Sequence, residues 1–525
     1  MGAGALSETM RQEKQLECDL LVVGGGINGV GIARDAAGRG LRVVLAEKDD
    51  LGAHTSSSST KLVHGGLRYL EHYEFGLVRK SLAEREVLLR NAPHIVWPLR
   101  FLIPHDPSMR PVWMIRIGLF LYDHLARREI LPGSETVDLR RHAAGTPLKE
   151  HWRAGIMYSD GWVDDARLVV LNALDAQERG ATVLPRTRCT HARRDGAFWV
   201  AELQAAGGGR LVVTSRALVN AAGPWAATFL REAADWQHVR PLRLVKGSHI
   251  VVRKLFDHPC AYIFQNPDKR IVFAIPFERD FTLIGTTDVE IGGDPGEARI
   301  DAAEIDYLCT MINRYFSRQI TPADVVWTYS GVRPLLDDGA DASSITRDYK
   351  LELDAQGAPL LSVWGGKLTT YRALAEEAVG MLARPLGIAP GDWTAQAPLP
   401  GGDLGTVVQA SGDPMADFES FCALQAQRRP WLPVPLLRRY ARAYGTRMER
   451  MLGAAAGLAQ LGEEIAPGLY AAEVEYLIAH EWAQTAEDIL WRRSKLGLHL
   501  PADTGARLAA WLARRSTSRG SAAAA

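Results

Sequence analysis

Asp19-Leu20-Leu21-Val22-Val23-Gly24-Gly25-Gly26-Ile27-Asn28-Gly29 reads as a short apolar strand running straight into a glycine turn. The residues beyond it, about Gly29 to Arg39, have the composition of a helix, and Leu41 to Glu47 is a second strand. Together they form the first half of a βαβ unit. Gly24, Gly26 and Gly29 stand in G-x-G-x-x-G register, with Ile27 and Asn28 between the last two. The first glycine permits the tight turn, the second lets a pyrophosphate approach the backbone, and the third lets helix and strand pack closely. The helix N-terminus then presents unpaired N–H groups to phosphates. Glu47 ends the second strand, where a carboxylate accepts hydrogen bonds from adenosine ribose hydroxyls. Glycine turns also occur for purely structural reasons, so strand, turn, helix and acid together carry the dinucleotide assignment.

Working outward, the turn alone does not choose between FAD and NAD. The chain enters Gly52-Ala53-His54-Thr55-Ser56-Ser57-Ser58-Ser59-Thr60, small hydroxyl residues that either line an extended cofactor or form a flexible linker. Its sequel, Lys61-Leu62-Val63-His64-Gly65-Gly66-Leu67-Arg68-Tyr69, is basic, titratable and aromatic, which favours the first alternative.

Further on, Arg90 to Glu150 is rich in Pro, Trp and Arg and breaks the alternation, as an insertion does. Helical periodicity returns at Asp165 to Arg179, then strand-like runs at Thr182–Leu184, Phe198–Leu203 and Leu211–Ala222, and a β-rich stretch from Leu242 to Asp288. Leu360–Val363, Gly365-Gly366 and Thr370–Leu382 repeat strand, glycine turn and helix, so one nucleotide domain is assembled from separate segments. A Pro- and Gly-rich loop, Gly387 to Asp403, marks a boundary before a helical, basic C-terminal region. The expected fold is α/β: a discontinuous Rossmann-like FAD-binding domain (17–91, 165–238, 329–395), a β-rich substrate domain (239–328) with an inserted cap segment (92–164), and a helical domain at 396–516.

Composition bounds the function. The 525 residues are too many for one core, and 61 basic against 61 acidic residues leave no case for a general nucleic-acid binder. Five cysteines without a C-x-x-C pair imply neither a disulfide framework nor a zinc site, and a reducing, cytoplasmic compartment fits them. Met1 to Glu17 reads as a disordered leader and Ser516 to Ala525 as a low-complexity tail. No stretch is apolar enough to span a bilayer. No metal is expected, since the histidines are scattered.

The joined pattern of Gly24–Gly40, Ser56–Glu71, Lys246-Gly247-Ser248-His249, Gly285-Thr286-Thr287-Asp288, Tyr329-Ser330-Gly331-Val332-Arg333-Pro334 and Gly365–Arg372 resembles the aerobic, FAD-dependent glycerol-3-phosphate dehydrogenases, within the D-amino-acid-oxidase-like group of flavoproteins. Trp491–Gly497 is similar to that family's C-terminal domain. The resemblance implies FAD as cofactor, sn-glycerol 3-phosphate as substrate, a ubiquinone-type quinone as acceptor, a homodimer, and peripheral attachment to the cytoplasmic face of the inner membrane. It also implies flavin contacts at Ala222, Gly223 and Trp225, and around Gly366, Lys367, Leu368 and Thr369. Arg68, Arg333 and Arg347, each in an expected loop, then belong to the substrate site with Tyr69, rather than to structural ion pairs.

The chemistry of these residues agrees. A phosphomonoester needs guanidinium forks or amide nests. Hydride abstraction from C2 needs a base on the hydroxyl side, and His64, between glycines and Arg68, is the first candidate, with His249 second. Lys367 would stabilise the reduced flavin. Two segments combine apolar and basic residues as a membrane surface does: Arg110–Arg128 and Arg428–Arg450, the latter with seven arginines and one acid, Glu449. A soluble oxidase using oxygen and a non-catalytic flavoprotein are the alternatives.

Overall fold

The computed structural model describes residues 14–106, 111–236, 239–268, 270–337 and 348–523, with the side chains of residues 68, 71, 72 and 516–523 outside that description. Its centre is a sheet in the order Lys350–Asp354, Leu360–Trp364, Arg210–Asn220, Lys14–Val23, Val43–Ala46 and Thr182–Leu184, extended by the hairpin Thr187–Asp195 and Phe198–Ala205. The four pairings from Leu360–Trp364 through to Thr182–Leu184 are parallel. Parallel strands are stable when both faces are covered, and the apolar runs Leu20–Val23 and Val43–Ala46 supply both. On one face Leu20, Val22 and Leu45 pack on helices α1 (Ile27–Gly38), α4 (Asp165–Glu178) and Tyr371–Leu386. On the other, Leu21, Val23 and Val44 meet Trp199, Leu230 and Trp364. Between α1 and α4 in the chain come α2 (Phe75–Asn91) and α3 (Val112–His124).

The second sheet has ten strands among the described residues, built on Leu242–Arg253, Phe281–Gly285, Ile271–Phe277, Ala261–Gln265, Val96–His105 and Ala154–Val163. The insertion thus continues the substrate layer, because Val96–His105 pairs in parallel with Ala261–Gln265. Val325–Leu336, expected to open the closing FAD segment at 329, pairs along Leu242–Arg253 and belongs to this sheet. Residues 1–13 of the expected leader lie outside the described residues, and Lys14–Glu17 are strand. Residues 516–523 of the expected tail fall within the helix Thr504–Ala523, and 524–525 lie outside the described residues.

The C-terminal region has its own core around Phe421, Tyr440, Tyr444 and Leu477. It is fastened to the FAD layer by buried charges. Arg167 of α4 pairs with Glu481 and donates to the Ala443 carbonyl at 2.8 Å. Asp50 accepts from Arg492 at 2.6 Å and from Arg493 at 2.8 Å, and Asp488 accepts from Arg186 at 2.6 Å. Arg492 and Arg493 leave a π-helical turn, Asp488–Arg493.

The two basic segments separate here. Every arginine from Arg428 to Arg450 meets a carboxylate or carbonyl: Arg428 and Arg429 with Glu449, Arg438 with Glu419, Arg439 with Glu473, Arg442 with the Pro93 carbonyl, and Arg447 and Arg450 with Glu178. Leu432, Leu436, Leu437 and Tyr440 are core. The acids that absorb this charge lie mostly outside the segment, which buries one apolar face while Arg428, Arg438 and Arg450 stay half exposed. In α3, by contrast, Leu119 and Tyr122 are buried while Trp113, Ile117 and Phe120 are 61%, 54% and 60% exposed.

Candidate active site

The glycine turn shapes one end of a cavity of about 660 Å³ between the two sheets. Gly24 has φ +114°, and a Cβ on it would stand 2.3 Å from the Ala221 carbonyl oxygen, so only glycine closes this turn. On Gly29 it would stand 1.8 Å from the Gly24 oxygen, the helix-to-strand contact expected of the third glycine. Gly26 differs: its Cβ would meet only the Ser56 hydroxyl, at 3.1 Å. The fold leaves that space open, and it faces the cavity at the start of α1, whose N-cap Gly26 offers no side-chain acceptor. Asn28 ties the two glycine turns together, its Nδ2 donating to the Gly365 carbonyl at 3.1 Å, while its Oδ1 is buried without a hydrogen-bond partner among the described residues. Open backbone, a helix terminus and an orphaned acceptor along one elongated cavity fit a bound dinucleotide.

Glu47 lines this end. Its carboxylate accepts from the Gly25 N–H at 2.7 Å and the Asp49 N–H at 2.8 Å, and burial raises its pKa against those bonds. It therefore braces the glycine turn as well as facing the cofactor side. Ser56 accepts from the Ile27 N–H at 3.0 Å, and the Thr55 hydroxyl donates to the Val332 carbonyl at 2.7 Å, joining the two sheets across the cavity. Trp225 is held from three sides: its Nε1 donates to Asp294 at 2.9 Å, Lys48 lies 4.2 Å over its ring, and His54 packs at 4.6 Å. Lys48, His54 and Asp294 were not singled out in the sequence, although His54 sits inside the Gly52–Thr60 run.

The other end collects His64, His249, Tyr69, Thr369, Lys367 and Arg333 from four separate parts of the chain. His64 donates its backbone N–H to Thr369 Oγ1 at 3.3 Å. Lys367 caps the short turn Leu368–Thr370 before the helix Tyr371–Leu386, and its Nζ lies 3.6 Å from the Tyr69 ring centroid. His249 is buried, with Nε2 3.0 Å from Thr60 Oγ1 and its ring stacked on Tyr329 at 4.7 Å. Burial, aided by Arg333 and Lys61, pushes its pKa well below the ordinary range, so it is neutral.

Arg333 lines the cavity from a strand, not the expected loop, and there forms an ion pair of the kind considered as its alternative role. One guanidinium nitrogen pairs with Asp288 and the other donates to Thr286 Oγ1 at 3.2 Å. Pairing with Leu242–Arg253 makes this an edge strand, where Pro334 is tolerated because it has no N–H to leave unmatched. The Arg68 backbone lies in the turn Leu67–His72, its side chain beyond the description, and Arg347 lies outside the described residues.

Of the residues expected to contact the cofactor, Leu62, Gly223, Ala222, Gly366 and Leu368 line the cavity, whereas Gly29, Ser57, Lys61, Gly65 and Gly66 do not. Lys61 is held elsewhere. Its ammonium is buried against Asp165 at 2.8 and 3.0 Å and donates to the Ser57 carbonyl at 3.1 Å, which turns both away from the cavity. Asp165, more than 100 residues on, left no local signal. Among the described residues no cluster of His, Cys, Asp and Glu is arranged to hold a metal, no helix is long and apolar enough to cross a membrane, and all five cysteines are free and buried.

This geometry meets its relatives in the comparisons. Residues 19–372 match the FAD dependent oxidoreductase family and residues 393–513 the C-terminal domain of alpha-glycerophosphate oxidase. The chain is 54% identical over 497 residues to a glycerol-3-phosphate dehydrogenase of Pseudomonas aeruginosa, covering 94% of each. It is 50% identical to the aerobic glycerol-3-phosphate dehydrogenase of Escherichia coli over 95% of this chain and 98% of that one. It is also 51% identical to D-erythritol 1-phosphate dehydrogenase of Brucella abortus, over 94% of this chain and 97% of the other. The glycerol-3-phosphate dehydrogenase of Bacillus halodurans, solved with FAD, superposes with a TM-score of 0.76 at 28% identity, covering 95% of this chain and 90% of its own. The turn at Gly24–Gly29, the cavity it opens and these likenesses agree: the chain belongs to the FAD-dependent oxidoreductases, among the glycerol-3-phosphate dehydrogenases, with FAD as its cofactor.

Proposed function

We propose that the chain oxidises sn-glycerol 3-phosphate to dihydroxyacetone phosphate and passes the electrons to a membrane quinone. One observation carries the proposal: a single cavity joins the glycine turn to a cluster holding a guanidinium, an ammonium and two imidazoles. FAD supplies the hydride acceptor. Arg333 takes the phosphate, and Thr286 and Asp288 hold its guanidinium in place. His64 removes the hydroxyl proton, and His249, buried and with Nε2 engaged by Thr60, is the second candidate. Lys367 places positive charge where negative charge develops. The close relationship to a D-erythritol 1-phosphate dehydrogenase supports a second substrate, a four-carbon polyol phosphate, at the same site.

The quinone and the membrane rest on α3. Its inward positions Val112, Ile115, Leu119 and Tyr122 pack on the core, while Trp113, Met114, Ile117, Phe120 and Leu121 face solvent beside exposed Arg116 and Arg127. A helix with two apolar faces, one packed and one outward with arginines at its rim, suits an in-plane position in the headgroup region.

The test is anaerobic mixing with each phosphate, followed by a ubiquinone analogue or oxygen. Flavin bleaching by glycerol 3-phosphate and fast reoxidation by quinone are expected. Bleaching by neither phosphate refutes the dehydrogenase, and faster reoxidation by oxygen makes the protein an oxidase.

A further inference from the structure

We propose that Tyr122 of α3 is a positioning residue for the reaction: its hydroxyl fixes the backbone on which His64 stands. Tyr122 lines no part of the cavity. It is buried, and its hydroxyl accepts from the Gly65 N–H at 2.9 Å while donating to the Asp160 carboxylate at 2.7 Å. Asp160 is anchored in turn by Arg85, which donates to it at 2.7 Å and also bonds the Ser159 carbonyl at 3.1 Å and Glu86 at 3.2 Å. Each of these groups is buried, so the network holds its geometry without competition from water.

The Gly65 N–H belongs to the same planar peptide as the His64 carbonyl. Fixing that N–H therefore fixes the orientation of the peptide plane that follows the His64 Cα. The Gly65 N–H reaches Asp160 itself only at 3.4 Å, and on the other side the His64 N–H meets Thr369 Oγ1 only at 3.3 Å, so the hydroxyl of Tyr122 is the firmest of the three restraints. Gly65 has no slack either: a Cβ on it would stand 2.5 Å from Leu82 and 2.7 Å from the Tyr122 hydroxyl. The loop is seated by contact on the face away from the cavity, and His64 lines the cavity on the other side.

Resting on the assignment of His64 as base, the test is a double-mutant cycle on the FAD-loaded protein. Tyr122→Phe keeps the ring and removes the hydroxyl. It should retain FAD and glycerol 3-phosphate affinity, raise deuterium uptake in the 62–66 segment, and slow flavin reduction roughly 10- to 100-fold, as a misplacement of about 1 Å does. In a His64→Asn background the same change should slow reduction less than about twofold, because there is no base left to misplace. Equal slowing in both backgrounds, or none in the wild-type background, overturns the role of Tyr122. If His64→Asn alone reduces at the wild-type rate, the base assignment falls instead, and the proposal with it. Should Tyr122→Phe not retain FAD, Asp160→Asn, which leaves Arg85 its bonds to Ser159 and Glu86, goes through the same cycle: slowing confined to the wild-type background supports the role of Tyr122, and equal slowing or none overturns it.

Discussion

Gly26 and Gly29 stand three residues apart in one turn, yet the structure assigns them different duties that a pair of alanine substitutions separates. At Gly29 the added Cβ would lie 1.8 Å from the Gly24 carbonyl oxygen and 3.0 Å from its carbon. Both are backbone atoms, so α1 must move away by about 1 Å or more, an overpacking that costs roughly 1–3 kcal/mol of folding stability. At Gly26 the Cβ would meet only the flexible Ser56 side chain, and the backbone at φ −79°, ψ 178° suits alanine. Gly26→Ala should therefore leave the FAD-free protein within about 0.5 kcal/mol of wild type, or slightly more stable through loss of unfolded-state freedom. Its effect should fall on the cofactor, whose pyrophosphate needs that space. The same overpacking charged to binding, about 1–3 kcal/mol, raises the FAD dissociation constant about 5- to 150-fold. Denaturant unfolding of the FAD-free variants and FAD titration by flavin fluorescence measure the two separately. If Gly26→Ala binds FAD as tightly as wild type, or destabilises the FAD-free fold as much as Gly29→Ala does, the division of duties is wrong.

Arg333→Ala should raise KM for glycerol 3-phosphate by about 10- to 150-fold with FAD retained, from the loss of roughly 1.5–3 kcal/mol of charge-assisted bonding; an unchanged KM removes Arg333 from the phosphate site. Asp288, left without Arg333, adds repulsion in the same direction. His94 is fully buried near Arg167 and Arg442, and burial pushes its pKa down to about 3. It stays neutral in the folded chain while the unfolded chain takes up a proton below about pH 6.5, so stability is unaffected above that pH and is lost as the pH falls toward 3. Relative to His94→Leu, wild type should lose about 1.4 kcal/mol of unfolding free energy between pH 7.5 and 5.5, and a difference that does not move with pH contradicts this. Trp113→Glu with Phe120→Glu should abolish salt-sensitive cosedimentation with anionic vesicles without changing flavin reduction in solution; undiminished binding would take the membrane contact away from α3.

The sequence was most informative where structure is local. The strand into Gly24, α1 and the second turn at Gly365-Gly366 follow from apolar periodicity and glycine placement over a few residues, although the strand begins at Lys14, before the expected Asp19. Relations across the chain were hidden. Lys61 looked available for a cofactor because Asp165, which neutralises it, is 104 positions away. The arginines after Gln427 looked like an open basic face because Glu178, Glu419 and Glu473 come from other elements. Pro334 made the Arg333 region look like a loop, since nothing nearby reveals that Val325–Leu336 lies along a sheet edge. The same limit hid Tyr122, which reads as one more aromatic in an apolar helix.

The buried charges beneath the C-terminal region also set a schedule for making the protein. Asp50 and Arg167 are synthesised more than 300 residues before their counter-charges Glu481, Arg492 and Arg493. From the end of the helix Tyr371–Leu386 to Arg493, about 110 residues at 5–20 per second, the nascent chain spends ~5–20 s with the nucleotide sheet's strands complete and two interior charges unanswered. A buried charge without its partner costs about 3–5 kcal/mol, so the sheet cannot close tightly around Asp50 and α4 until the last helices arrive. Ribosome-bound chains arrested before residue 481 should stay open to protease near Asp50, and chains arrested once Arg493 has cleared the exit tunnel should resist. The C-terminal region is in this sense a seal, and a copy truncated before residue 481 should be the more readily degraded.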